Sequence, residues 1–162
     1  MMGGPWRARL AFNLWPCIRG TGGRVTHVAP DWSELAVRLP LNWRTRNYVG
    51  TTYGGSMYAA LDPYLMLMLI QRLGPGYVVW DKAASIRFRR PGRSTLTATF
   101  RVGDDELAEL RELVDLEGGR VDWVRSIDLV DEHGEVHATV EKVLYVATRA
   151  ADRERRAGRS TS

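Results

Sequence analysis

The chain has 162 residues, enough for one domain with a real core and too few for two comfortable ones. Its net charge of +4, carried largely by arginines near the two ends and between Arg87 and Arg93, is too diffuse to point to nucleic acid. A single cysteine, Cys17, excludes an internal disulfide and a cysteine metal cluster and makes a reducing compartment the default.

Pro5 to Ile18 predicts a short amphipathic helix with Trp6, Leu10, Asn13, Leu14 and Cys17 on one side and Arg7 on another, packing on the domain rather than on a membrane surface. It lacks the continuous apolar core and the small-residue cleavage site of a secretory signal. Gly20, Gly22 and Gly23 end it. Arg24 to Ala29 is a candidate strand, Pro30-Asp31 a turn, and Leu35, Val37, Leu39 and Leu41 alternate with polar neighbours as a half-buried strand does.

Met57 to Leu73 is the longest apolar stretch, interrupted only by Asp62 and Pro63, and falls short of the roughly 20 residues that span a bilayer. It predicts a buried helix, stopped by Gly74, Pro75 and Gly76. A long strand follows from Tyr77 to about Arg90, with Val78, Trp80, Ala84, Ile86 and Phe88 on one face and Lys82 interrupting it. Arg90 to Arg93 reads as a turn into a second strand, Leu96 to Val102, which would close an antiparallel hairpin with the first. Asp104 to Leu116 has helical spacing. Val121, Trp123, Ile127 and Leu129 mark a strand, and the tight turn at Glu132 to Gly134 leads into a last strand, Val136 to Ala147. The tail from Arg149 is polar and arginine-rich, a disordered end by composition. The expected division is therefore 1–20 as an N-terminal helical segment, 21–148 as the main domain and 149–162 as a tail.

Strands in hairpins demand an antiparallel sheet. A helix apolar on nearly all sides cannot lie on a sheet with one flank in water, so the sheet must curl around it. That is an α+β hotdog fold.

The residues around this helix also resemble a hotdog family. Asn47, then Gly54-Gly55 seven residues later, then Asp62 eight residues past the first glycine, is similar to the active-site pattern of small acyl-CoA thioesterases related to phenylacetate-pathway enzymes. With Gly50-Thr51, Asp62-Pro63, Val79 to Lys82 and Ile86 to Pro91 added, the chain resembles still more closely the DUF4442 branch of thioesterase-like proteins, from about Gly20 to Ala147. The family histidine before the glycine pair is Tyr53 here. An unperturbed phenol stays protonated to about pH 10, so Tyr53 can donate a hydrogen bond but makes a poor base.

The resemblance implies hydrolysis of an acyl-CoA or another acyl thioester, with no cofactor and no metal. Gly54 and Gly55 would offer backbone N–H groups to the developing oxyanion, or form a tight entry turn under the sheet. Asp62 would serve the facing subunit's substrate as general base or nucleophile; the competing readings are an N-cap at Pro63 and a buried salt bridge. Asn47 would orient water or hold the carbonyl, or shape a turn. The acyl tail would lie along Met57, Tyr58 and Leu61, with Tyr53 at its head. Lys82 beside Asp81 would border the channel, or a bulge would turn both charges outward. Arg89, Arg90 and Arg93 would meet the phosphates of coenzyme A, or form a solvated turn. His27, His133 and His137 read as solvent or sheet-face histidines, and no metal-ligand spacing appears. The helix and the edge strand after Gly76 need covering, which predicts a homodimer or a dimer of dimers. The expected location is cytoplasmic. A non-catalytic acyl-thioester or lipid-binding module is the alternative function.

Overall fold

The computed structural model describes residues 4–159; the ends of the predicted N-terminal segment and tail, 1–3 and 160–162, lie outside the described residues. In chain order the elements are α1 (Pro5–Leu14), α2 (Pro16–Thr21), β1 (Arg24–Val28), β2 (Glu34–Leu39), α3 (Gly54–Ala59), α4 (Tyr64–Leu73), β3 (Tyr77–Phe88), β4 (Leu96–Arg101), α5 (Asp104–Leu116), β5 (Arg120–Val130), β6 (Val136–Thr148) and α6 (Arg149–Arg159). The six strands form one antiparallel sheet in the order β1-β2-β4-β5-β6-β3, curved around the α3–α4 segment as a hotdog fold requires.

The expected hairpin between β3 and β4 does not form. β3 pairs with β6, while β4 lies between β2 and β5, so the turn at Arg90 to Arg93 is a crossing from one end of the sheet to its middle. This leaves β3 at the sheet edge with one row of backbone groups unpaired within the chain.

A second correction lies inside β3. The β3–β6 register slips between Asp81 and Ala83, where a bulge makes Lys82 the extra residue. Before it, Val79 and Asp81 pair with Val146 and Leu144; after it, Ala84 and Ile86 pair with Lys142 and Val140, which share the inner face with those residues. The slip moves alternate residues across the sheet, so Val78 and Trp80 are separated from Ala84, Ile86 and Phe88 rather than sharing a face with them.

The apolar stretch from Gly54 is two helices, not one. Pro63 has no N–H to donate and disfavours helical geometry in the residue before it, so the chain turns at residues 60–63 between α3 and α4. Tyr64, Leu65, Met68, Leu69 and Leu73 of α4 are buried against β2, β4, β5 and β6 residues such as Leu35, Phe100, Leu129 and Leu144. Met66 and Leu67 are only partly buried and Ile70 is exposed, so one flank of α4 is open in the isolated chain.

Helix α1 presents the opposite side from the one its pattern predicts. Ala8 and Phe12 are buried, with the Phe12 ring edge-on to Tyr64 at 5.6 Å and to Trp32 at 6.1 Å, whereas Trp6, Leu10 and Leu14 are exposed. Asn13 explains the rotation. Its Nδ2 donates to Val25 O and its Oδ1 accepts from Val25 N–H, each at 2.9 Å, so α1 closes the free edge of β1 as a further strand would. At the other terminus, Arg149–Arg159 is helix α6 rather than a disordered tail: Ala151 and Asp152 are buried and Asp152 holds Arg155 and Arg156 at 3.0 and 2.7 Å.

Candidate active site

Two hollows of about 400 Å³ flank the α3–α4 segment. The first is lined by Asn47, Thr51, Thr52, Gly54, Met57 and the Phe88–Gly92 stretch, and so gathers five sequence-predicted residues: Asn47, Gly54, Met57, Arg89 and Arg90. The second is an apolar groove that holds Asp62 and Tyr58 among Trp15, Cys17, Ile18, Ala59, Pro63, Met66 and Leu67. Asp62 and Gly54 therefore do not share a hollow within one chain.

In the first hollow, the loop before α3 is built on Asn47. Its Oδ1 accepts from Val49 N–H at 3.1 Å and Thr51 N–H at 3.0 Å, and its Nδ2 donates to Thr51 Oγ1 at 2.9 Å. The side chain is thus engaged in shaping its own turn. Thr52 N–H donates to Gly92 O at 2.8 Å and ties this loop to the opposite wall. Gly54 and Gly55 open α3, where their N–H groups precede any intrahelical acceptor. A methyl group on Gly54 would lie 2.8 Å from Phe88 Cζ, and one on Gly55 would lie 2.4 Å from the Tyr53 ring, so a side chain at either position displaces one of these two exposed rings. Tyr53 is exposed beside them.

The far wall is pinned by His137, a residue the sequence suggested was merely on a sheet face. It is buried, with Nδ1 3.1 Å from Pro91 O and Nε2 3.2 Å from Asp131 Oδ2, while its carbonyl accepts the N–H groups of Arg89 and Arg90. Burial pushes Asp131 up, but the N–H groups of Glu135 and His133 and the His137 ring outweigh it and hold the carboxyl below its ordinary value. Arg89 Nε donates to Thr139 Oγ1 at 3.0 Å and Arg90 pairs with Glu135 at 2.8 Å. Arg93 is exposed and does not line the hollow.

In the second hollow, Asp62 is neither a helix cap nor isolated. Helix α4 has no side-chain cap; instead Asp62 Oδ1 accepts from Tyr58 Oη at 3.0 Å and from Lys142 Nζ at 3.0 Å, and Lys142 also reaches the Asp62 carbonyl oxygen. Oδ2 accepts no hydrogen bond among the described residues, so the carboxylate is held by one oxygen. Lys142 is fully buried on the inner face of β6 and also meets Asp81 Oδ2 at 2.9 Å, whereas the Asp62 side chain keeps 45% of its surface. Burial pushes the Asp81 carboxyl up against the pull of Lys142, and Asp81 Oδ1 is buried without a partner. Burial, then the bond to Asp62, pushes the Tyr58 phenol up to about 12, so it remains a donor.

Leu61 and Lys82, like Arg93, line neither hollow. Leu61 is fully buried in the core. Lys82 stands at the bulge, exposed, and pairs with Asp122 of β5 away from Asp62. The residue missed is Lys142, and its signal is legible: Val140, Lys142, Leu144 and Val146 share one parity, with a cation in an apolar row.

Among the described residues no group of three or more His, Cys, Asp and Glu is placed to hold a metal ion, and no helix is long and apolar enough to cross a membrane. Solved structures share the fold. A protein of unknown function from Pseudomonas aeruginosa, described as "Probable Thioesterase", matches with a TM-score of 0.74 at 21% identity, over 88% of this chain and 94% of its own. A thioesterase from Haemophilus influenzae matches with a TM-score of 0.64 at 17% identity, over 88% of this chain and 90% of its own. A protein of unknown function from Chlorobaculum tepidum gives 0.68 at 12% identity, over 91% and 99%. At these identities the likeness is one of fold, that of a thioesterase-like hotdog protein. No curated protein matches the chain. The model of the family described as a domain of unknown function, DUF4442, matches residues 4–146, and the chain belongs to that family.

Proposed function

We propose that this protein hydrolyses an acyl thioester as a two-fold dimer, Asp62 of one subunit acting on substrate held in the Asn47–Gly54–Phe88 hollow of the other. The observation that carries the reading is the state of Asp62: a half-exposed carboxylate that lines an apolar groove, held through Oδ1 by Lys142 and Tyr58. Gly54 and Asp62 line separate hollows, one at the start of α3 and one beyond its end, while a base and an oxyanion donor must both stand about 3 Å from the reacting group. One chain alone does not bring them together. The unpaired edge of β3 and the open flank of α4 are the surfaces a second subunit would cover.

In this mechanism Asp62 Oδ2 takes a proton from water as the water oxygen attacks the thioester carbon, or attacks that carbon itself. The carbonyl oxygen gains charge and accepts from the N–H groups of Gly54 and Gly55. Collapse of the intermediate breaks the carbon–sulfur bond: on the base route the thiolate takes back the proton held by Asp62 and leaves as thiol beside the free acid, and on the nucleophilic route it leaves as thiolate and water then hydrolyses the Asp62–acyl anhydride. Asn47 shapes the loop, Met57 contacts the acyl group, and Arg89 and Arg90 at the rim suit the phosphates of a coenzyme A carrier. Its single exposed cysteine fits the reducing cytoplasm.

Release of free thiol from a panel of acyl-CoAs tests the reading. Turnover by the wild type and a loss of at least about 100-fold in Asp62→Ala is the expected result. Equal rates would remove Asp62 from the chemistry. Tyr53 at the family histidine position favours one other reading, a binding module. Calorimetric binding of a non-hydrolysable analogue, without turnover of any acyl-CoA, would select it.

A further inference from the structure

Helix α1 carries an apolar stripe that its own fold leaves in water. Trp6, Leu10 and Leu14, one turn apart, are 63%, 51% and 59% exposed, and Trp15 at the α1–α2 corner is 51% exposed. The stripe lies opposite Ala8 and Phe12, so no rotation of α1 buries it without extracting Phe12 from the core.

The sequence around it is basic. Residues 1–30 contain four arginines and no Asp or Glu; the first 61 residues carry seven arginines against two carboxylates, net +5, and the remainder of the chain is net −1. The Arg7 guanidinium lies over the Trp6 ring at 5.7 Å. Arg44 donates to Arg19 O at 3.4 Å, which brings a second such pair, Arg44 over Trp43 at 6.0 Å, beside α2.

We propose that α1 and the α1–α2 corner dock the protein on an anionic phospholipid surface. The stripe would enter the boundary between headgroups and acyl chains, with Trp6 and Trp15 at the level indoles favour, and the arginines would meet lipid phosphates. A helix of 10 residues is about 15 Å long, so it lies in the interface rather than crossing it. A second copy of the chain is the poorer occupant: α1 carries Arg7 and Arg9 and no Asp or Glu, so a two-fold contact along it would face arginines with arginines.

Vesicle flotation of the full chain tests the docking and requires no turnover, so its outcome is independent of the hydrolase reading. Vesicles with about one-third phosphatidylglycerol should bind at least about tenfold tighter than pure phosphatidylcholine, and the difference should shrink between about 0.1 and about 0.5 M salt. Leu10→Ser/Leu14→Ser and Arg7→Gln/Arg9→Gln should each weaken binding by about tenfold or more while keeping the wild-type melting temperature, because all four side chains are exposed. Equal binding to both vesicle types, or to neither, overturns the proposal. So does a change of oligomeric state in Leu10→Ser/Leu14→Ser by sedimentation velocity, combined with no vesicle binding by the wild type, which would make this face a contact between copies.

Discussion

Lys142 Nζ stands 3.0 Å from Asp62 Oδ1, across 80 positions of sequence, and 2.9 Å from Asp81 Oδ2. The ammonium is wholly removed from water and both its carboxylates are partly exposed. Breaking such a cluster from the cationic side leaves two acids facing each other beside an apolar core.

Lys142→Met should therefore cost about 3 kcal/mol at neutral pH, the low end for a broken buried pair because Asp62 is nearly half exposed. Adding Asp62→Asn and Asp81→Asn should recover most of that loss. Urea midpoints of the three proteins measure it; a Lys142→Met midpoint equal to wild type would show that the cluster adds nothing to the fold.

Two acids should drive stability in opposite directions with pH. Asp131 is held below its unfolded value of 3.8, so its contribution is present above 3.8 and is lost as pH falls through the lower folded value. Asp81 is raised above 3.8, so the fold binds the extra proton between 3.8 and the folded value, and the cost of ionising it is relieved as pH falls through that window. Melting temperatures from about pH 7 to about pH 3 should show wild type gaining on Asp81→Asn on acidification, and losing its lead over Asp131→Asn. Parallel curves would contradict both assignments.

On helix α1 the two apolar sides should differ sharply. Phe12→Ala removes a ring with no exposed surface and should cost about 3–5 kcal/mol, whereas Leu10→Ala should change stability by less than about 0.5 kcal/mol. The reverse order in denaturant unfolding would restore the packing face that the sequence pattern suggests.

That contrast shows where periodicity is informative. Helix α5 and strand β4 are legible because local spacing alone defines them, and the β5–β6 hairpin because its turn is short. The face of α1 is not, because Asn13 sets it by bonding the backbone of β1, a choice between partners that spacing does not encode. In β3 a single extra residue, Lys82, inverts the parity of everything before it, and no composition rule announces a bulge. For the site, spacing places Asn47, Gly54 and Asp62 along one stretch of chain. It does not show that they open to different hollows, nor that the charge facing Asp62 is Lys142 rather than Lys82, since that depends on strand order.

In the proposed dimer each site takes Asp62 from one subunit and Gly54 from the other. Gly54→Leu should block the hollow, since even a Cβ there meets Phe88 at 2.8 Å. The deciding measurement is the thioester hydrolysis rate of co-expressed Asp62→Asn and Gly54→Leu subunits. Each variant alone should be nearly inactive, and a statistical mixture should regain about a quarter of wild-type activity, because half the dimers are mixed and one of their two sites is intact. A mixture no more active than either variant alone would contradict the account.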